Sequence, residues 1–290
     1  MNTSAPTRAL VLGGGGSTGN AWLIGVLAGL ADAGLDVTGA DLIVGTSAGS
    51  TAAAQITGTP LPELLDLTLT SVPPQQAYYA RGAAGAAQEQ MDRLVRLAAT
   101  SPDPAEFRRR LGASALEREA ATEGDWSTRW RGLVEARFTR RDWPDPVRIT
   151  AIDARTGESV VFDRAAGVDL VDAVAASCSS GLPYAIGEDR YLDGGFRRSS
   201  ENADLAAGFD RVLVLSPLGG RSLAPAGWGF ELAVQVDELR AGGSDVEMVF
   251  PQDESLFGVN AMDLSLRPAA ARAGFDQGQA LAETLTPFWR

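Results

Sequence analysis

Two residue types are missing from this sequence. Its 290 positions hold no histidine and no lysine, so all 25 basic residues are arginine. The missing histidine bears on mechanism. Most serine hydrolases use histidine as general base, and a Ser-His-Asp triad is excluded within this chain. The missing lysine says little about chemistry. Cysteine is nearly absent too. Cys178 stands alone, which excludes an intramolecular disulfide and a cysteine-rich metal site. Without a histidine neighbour it reads as a structural thiol rather than a nucleophile. Positive charge is scarce: the formal net charge is −12. That argues against a nucleic-acid partner and against electrostatic adsorption to anionic lipid. Long apolar runs are lacking. The longest near the N-terminus, residues 21–31, is too short to span a bilayer. Residues 1–7 are short and polar, without the pattern of a signal peptide. A soluble cytoplasmic protein is the expectation.

What is present is material for a core, at 45% hydrophobic residues, in a length that suits one large α/β domain or two small ones. The chain is organised around Leu42-Ile-Val-Gly-Thr-Ser-Ala-Gly-Ser50. An apolar β-branched run stops at Gly45, and an alanine-rich helical run follows Ser50. Gly45-x-Ser47-x-Gly49 between them is the pattern of a nucleophile elbow. A serine on so sharp a strand-to-helix turn needs small neighbours. Its hydroxyl then stands exposed beside a helix N-terminus, which favours negative charge.

Upstream, residues 8–12 read as a buried strand, the Gly13–Gly19 run as a loop and residues 20–33 as a helix. Gly25 and Gly29 on that helix suggest close packing on a sheet. The glycine loop has two readings. Gly14-x-Gly16-x-x-Gly19 fits a dinucleotide fingerprint, which would make this a Rossmann oxidoreductase. The same glycines could instead present backbone N–H groups to an acyl oxygen. A dinucleotide site wants an acid at the end of the second strand. That strand ends in Gly45-Thr46-Ser47, and Asp36 and Asp41 precede it.

Downstream, residues 61–70 read as a helix. Residues 73–145 carry three helical patterns (83–99, 104–121 and 127–138) and hold 12 arginines against 11 acids. Arg108-Arg109-Arg110 and Arg140-Arg141 read either as solvated helix faces or as a cap that orients an anionic substrate. Strands are expected at 146–153, 160–162, 211–216 and 246–250, and helices at 169–176, 228–240 and 268–285. Alternating strands and helices mean a parallel-dominated α/β sandwich in one domain over residues 1–290. With histidine absent, a desolvated carboxylate would have to take the serine proton. Asp193, before Gly194-Gly195, is the best placed; an ordinary Asp-Gly turn is the plainer reading.

Together, Gly14-Gly15-Gly16-Ser17-Thr18-Gly19, Gly45-Thr46-Ser47-Ala48-Gly49 and Asp193-Gly194-Gly195 resemble the patatin-like phospholipases. The segment from Ala176-Ser177 to Pro183 resembles the stretch before the family's catalytic Asp. The resemblance covers most of residues 8–217. It implies a three-layer α/β/α sandwich with a parallel-dominated central sheet, a helical cap insertion at about 73–145, and a Ser–Asp dyad. By matching position, Ser47 would be the nucleophile, Asp193 the base, and Gly14, Gly15 and Gly16 the oxyanion hole. One departure is Thr18, where the family commonly has Arg or Lys. The resemblance implies no cofactor and no metal. It implies a lipid or fatty-acyl ester substrate and leaves room for transient contact with a membrane surface. The rivals are a non-catalytic lipid-binding relative and the Rossmann enzyme.

Overall fold

The computed structural model of the chain describes residues 5–70, 83–222 and 224–290. The part of the expected cap at 73–82 lies outside them. Strand-forming runs rich in Val, Leu and Ile build one sheet. β1 (Arg8–Leu12), β2 (Leu42–Gly45), β3 (Val147–Asp153), β7 (Arg211–Leu215) and β8 (Asp245–Val249) run parallel in the order β3-β2-β1-β7-β8. β4 (Ser159–Phe162) and the hairpin β5 (Tyr184–Ile186) and β6 (Asp189–Asp193) join antiparallel at the β3 end. Parallel strands buried on both faces should read as continuous apolar runs, and β1 and β7 do.

The sheet has a core on each face. Leu10, Leu12, Ile43, Ile149, Leu213 and Leu215 point to one side. There they meet α1 (Gly16–Asp32), α2 (Ala48–Ile56), α3 (Leu61–Thr70), α7 (Leu170–Ser177) and the last helix, α9 (Arg267–Trp289). The alternate residues Ala9, Val11, Leu42, Val44, Val212 and Val214 point to the other, under α8 (Leu232–Ala241). The result is a three-layer α/β/α sandwich, as the pattern predicts.

The remaining helices are α4 (Ala83–Thr100), α5 (Pro104–Ala120) and α6 (Trp126–Glu135). Leu94, Phe107, Leu111 and Ala115 of α4 and α5 pack on Ile152 and Leu192, extending the second face. α6 rests on α7. The arginine triplet sits on α5, and each member is engaged by neighbouring groups. Arg109 and Arg110 pair with Glu106, and Arg108 donates to the carbonyls of Gly157 and Arg197.

Two expectations need correcting. α1 begins at Gly16, inside the glycine run, rather than at residue 20. Gly25 and Gly29 pack not on the sheet but on α9, which answers with Gly274 and Gly278 at the same spacing. A methyl at any of the four would overlap a backbone carbonyl of the facing helix. Two backbones in such contact leave no room for a Cβ on either side.

Register brings the two ends of the site together. Ile149 of β3 pairs with both Gly45 of β2 and Phe162 of β4, while Ala151 pairs with both Val160 of β4 and Asp193 of β6. Each edge of a strand holds one partner per residue. With β4 on one edge, β2 and β6 therefore lie end to end along the other. The turn after β2 and the last residue of β6 meet there.

Candidate active site

Ser47 follows β2 and caps α2 with φ 52° and ψ −114°. A non-glycine residue at positive φ is strained and needs its surroundings to hold it. They do so from several sides. The Ser47 N–H donates to Ser177 Oγ at 2.9 Å, and its carbonyl accepts from Cys178 Sγ at 3.2 Å and from Ser50 Oγ at 2.6 Å. Gly49 must be glycine, because a side chain there would overlap the Leu12 carbonyl of β1. At Gly45 a Cβ would lie 2.7 Å from Ser50 Cα.

Asp193 ends β6, almost fully buried. Its N–H donates to Ser179 O at 2.9 Å and its Oδ1 accepts from Gly195 N at 2.8 Å. Burial pushes its carboxyl up to about 6, against the opposing pull of the Gly195 N–H and the Ser47 hydroxyl beside it. Ser47 and Asp193 thus hang from one stretch. Ser177 and Cys178 grip Ser47, and Ser179 grips Asp193. The Cys178 thiol, pushed up by burial, is structural in its contacts, bonding also to Ser50 and Thr51.

Behind them is a buried polar network that sequence reasoning missed. Asn202, itself at φ 52°, donates through Nδ2 to Thr46 Oγ1, Thr150 Oγ1 and Gly194 O at 3.0, 3.3 and 2.9 Å. One amide therefore ties the elbow to the Asp193 turn. Glu201, fully buried beside it, accepts from the hydroxyls of Ser199, Ser200 and Ser216. Nothing in a Ser-Ser-Glu-Asn run signals this; the partners are up to 156 positions away.

The glycine loop lies against Ser47: a Cβ at Gly14 would sit 3.5 Å from Ser47 Cβ. Of the three glycine amides expected to serve as oxyanion donors, one is already engaged. Gly14 donates its N–H to Ser200 O at 2.7 Å, a bond that stitches the loop to the buried network. The N–H groups of Gly15 and Gly16 have no partner among the described residues. They open α1, where unpaired donors and the helix dipole favour an anion. Thr18 is fully buried with an unpartnered hydroxyl. A guanidinium is nonetheless present at this helix start. Arg267 of α9 donates to Ser17 O at 2.8 Å and to Asn20 Oδ1 at 3.2 Å. Burial, with Arg137 nearby, pushes it down to about 10.

The dinucleotide reading gains nothing from these contacts. Thr18 N is taken by Ala261 O, and Asp36 and Asp41 cap nearby backbone N–H groups instead of standing at the end of β2. No group of three or more candidate metal ligands occurs among the described residues. Nor is any described helix long and apolar enough to cross a membrane.

Among solved structures, the chain is similar to that of VipD from Legionella pneumophila at 11% identity and a TM-score of 0.45, covering 97% of this chain and 67% of that one. It is also similar to the type III effector protein ExoU at 17% identity and a TM-score of 0.37, covering 94% of this chain and 53% of that one. No curated protein sequence matches it. A family model described as patatin-like phospholipase matches residues 10–207. That span takes in the glycine loop, the Ser47 turn and the Asp193 turn, and the chain belongs to the patatin-like phospholipase family.

Proposed function

We propose that this protein is a serine lipid acyl hydrolase of the phospholipase A or esterase type, acting in the cytoplasm without metal or cofactor. Ser47 Oγ attacks the ester carbonyl of a lipid while the Asp193 carboxylate takes its proton. The carbonyl oxygen becomes an oxyanion that the Gly15 and Gly16 amides receive. The intermediate collapses, the C–O bond to the leaving alcohol breaks, and Asp193 returns the proton to that alcohol. Water then attacks the acyl-enzyme with Asp193 again as base, which frees the fatty acid and restores Ser47. The observation that carries this reading is Asp193. In a chain without histidine it is a buried carboxylate beside Ser47 and raised to about 6, where it is both ionised and basic at neutral pH.

The helical segment fits the role of a cap. α4 passes the turn Gly258–Asn260 near the glycine loop, and its Gln90 donates to Ser180 O next to the Asp193 support. Those two contacts hold α4 beside the loops that carry Ser47 and Asp193.

A fluorophosphonate probe tests the reading. Wild type is expected to label, and Ser47→Ala to lose the label. Absence of labelling together with lipid binding would favour a non-catalytic relative. The oxyanion assignment has its own test. A methyl at Gly15 would lie 2.5 Å from Pro217 Cβ, so Gly15→Ala must shift the loop. Losing one such donor costs about 10²–10³ in kcat. A folded Gly15→Ala protein with near wild-type turnover would remove the loop from the mechanism.

A further inference from the structure

Large apolar side chains on the described surface are few, and they are unevenly spread. Val259 is 87% exposed and Met262 52%, both in the run that leads into α9; Met91 is 41% and Val95 44% exposed, both on α4. Scattered single apolar residues mean nothing. These four sit on two elements that touch each other, since α4 meets the turn Gly258–Asn260. Met91 and Val95 are one helical turn apart.

Both elements border the site. Thr18 N donates to Ala261 O at 3.0 Å, and a Cβ at Gly16 would lie 3.0 Å from Met262 Sδ, so Ala261 and Met262 lie against the oxyanion loop, with Val259 further out on the same run. On the other side, Gln90 of α4 reaches Ser180 O, adjacent to the carbonyl that holds Asp193. The apolar rim therefore borders the loops that carry Ser47 and Asp193.

Its charge selects the surface it meets. Residues 250–263 carry Asp253, Glu254 and Asp263 and no basic residue, and α4 balances Glu89 and Asp92 with Arg93 and Arg96, so the two elements together are acidic in a chain of net charge −12. Glu254 is paired with Arg221, while Asp253 and Asp263 cap their own turns. An anionic bilayer would repel such a rim, whereas an uncharged interface would accept its side chains into the headgroup boundary.

We propose that this rim, formed by α4 and residues 258–262, docks the protein on a zwitterionic lipid surface, so that an ester enters the site directly from the interface. The proposal rests on the reading as a lipid acyl hydrolase, and its test separates the two. Wild type, Val259→Asp and the double variant Val95→Asp/Val259→Asp are compared in two assays. One is co-sedimentation with, and hydrolysis of, phosphatidylcholine vesicles. The other is hydrolysis of p-nitrophenyl butyrate, which is soluble and needs no interface.

The acidic variants are expected to lose vesicle binding and vesicle hydrolysis at least about tenfold each, since a buried valine contributes on that scale to partitioning. Their kcat/KM on the soluble ester should stay within about twofold of wild type. Wild type should bind phosphatidylcholine vesicles more tightly than phosphatidylglycerol vesicles. Unchanged vesicle binding in the variants would overturn the proposal, as would equal losses in both assays or a preference for anionic vesicles. So would a wild-type oligomer that the variants disperse, which would assign the rim to a second copy. If wild type hydrolyses neither substrate, the hydrolase reading fails, and the co-sedimentation result still decides the rim.

Discussion

Asp193→Asn is expected to fold and to lose activity by about 10²–10⁴ in kcat, the range of a positioned general base. The loss should be comparable to that of Ser47→Ala, because members of one catalytic unit are not additive. The amide keeps the shape and can still accept the Gly195 N–H, but it cannot take a proton. In wild type the carboxylate must be ionised to act. Activity should therefore fall as pH drops through about 6, the value to which burial raises this group. An imidazole would give an acid limb in the same region, and with no histidine in the chain that origin is excluded. Asp153→Asn is the control. Asp153 caps the turn after β3 through the N–H groups of Arg155 and Thr156 and should matter far less.

The same substitution has an opposite effect on stability. The folded-state pKa of Asp193 lies above its ordinary value of 3.8. Protonation therefore favours the fold, and the ionised form weakens it by on the order of 3 kcal/mol above pH 6. That cost fades as pH falls from about 6 towards 3.8. Urea midpoints should show Asp193→Asn more stable than wild type at pH 8 and level with it near pH 4. An Asp193→Asn protein that keeps most of its activity would move the base elsewhere.

Gly49→Ala is expected to destabilise the fold by more than about 3 kcal/mol, towards the exceptional end for one methyl. The new Cβ would overlap the Leu12 carbonyl at the end of β1 and approach Gly13 O. Backbone on both sides leaves no flexible side chain to yield. Gly39→Ala, where a Cβ meets nothing within 4 Å, is the matched control and should change little. Denaturant midpoints for the pair decide the matter. Similar values would mean that the helix after Ser47 can slide away from β1 and that the elbow is less tightly packed than it looks.

What the sequence made legible follows from local chemistry. Gly45 and Gly49 stand where one strand must turn into a helix at once, and that demand is written within five residues. The alternation of Leu10 and Leu12 against Ala9 and Val11 gives a strand buried on both sides. Asp193 stood out because the missing histidine left a role open.

The remainder depends on partners far along the chain. Nothing near Gly14 says that its N–H belongs to Ser200, so the sequence could not show that this amide is already bonded. Ser177 and Asn202 act on Ser47 and Thr46 across more than a hundred positions. The spacing of Gly25 and Gly29 revealed a close approach but not its partner, because Gly274 and Gly278 lie about 250 residues away. The β5 and β6 strands, 3 and 5 residues long, are too short for periodicity to show.

The central position of β1 bears on where a boundary can be drawn. The family match stops at residue 207, yet every residue of β1 pairs with β7, at 211–215, and α1 lies against α9 beyond that. Cutting at the match would turn the middle of the sheet into an open edge, with five unpaired ladder positions on an apolar strand. Such an edge recruits other chains. It would also strip the Ala261 and Arg267 contacts from the start of α1. The last eighty or so residues are thus no appendage to the family segment. They close its sheet, and the segment alone should behave as an aggregating fragment.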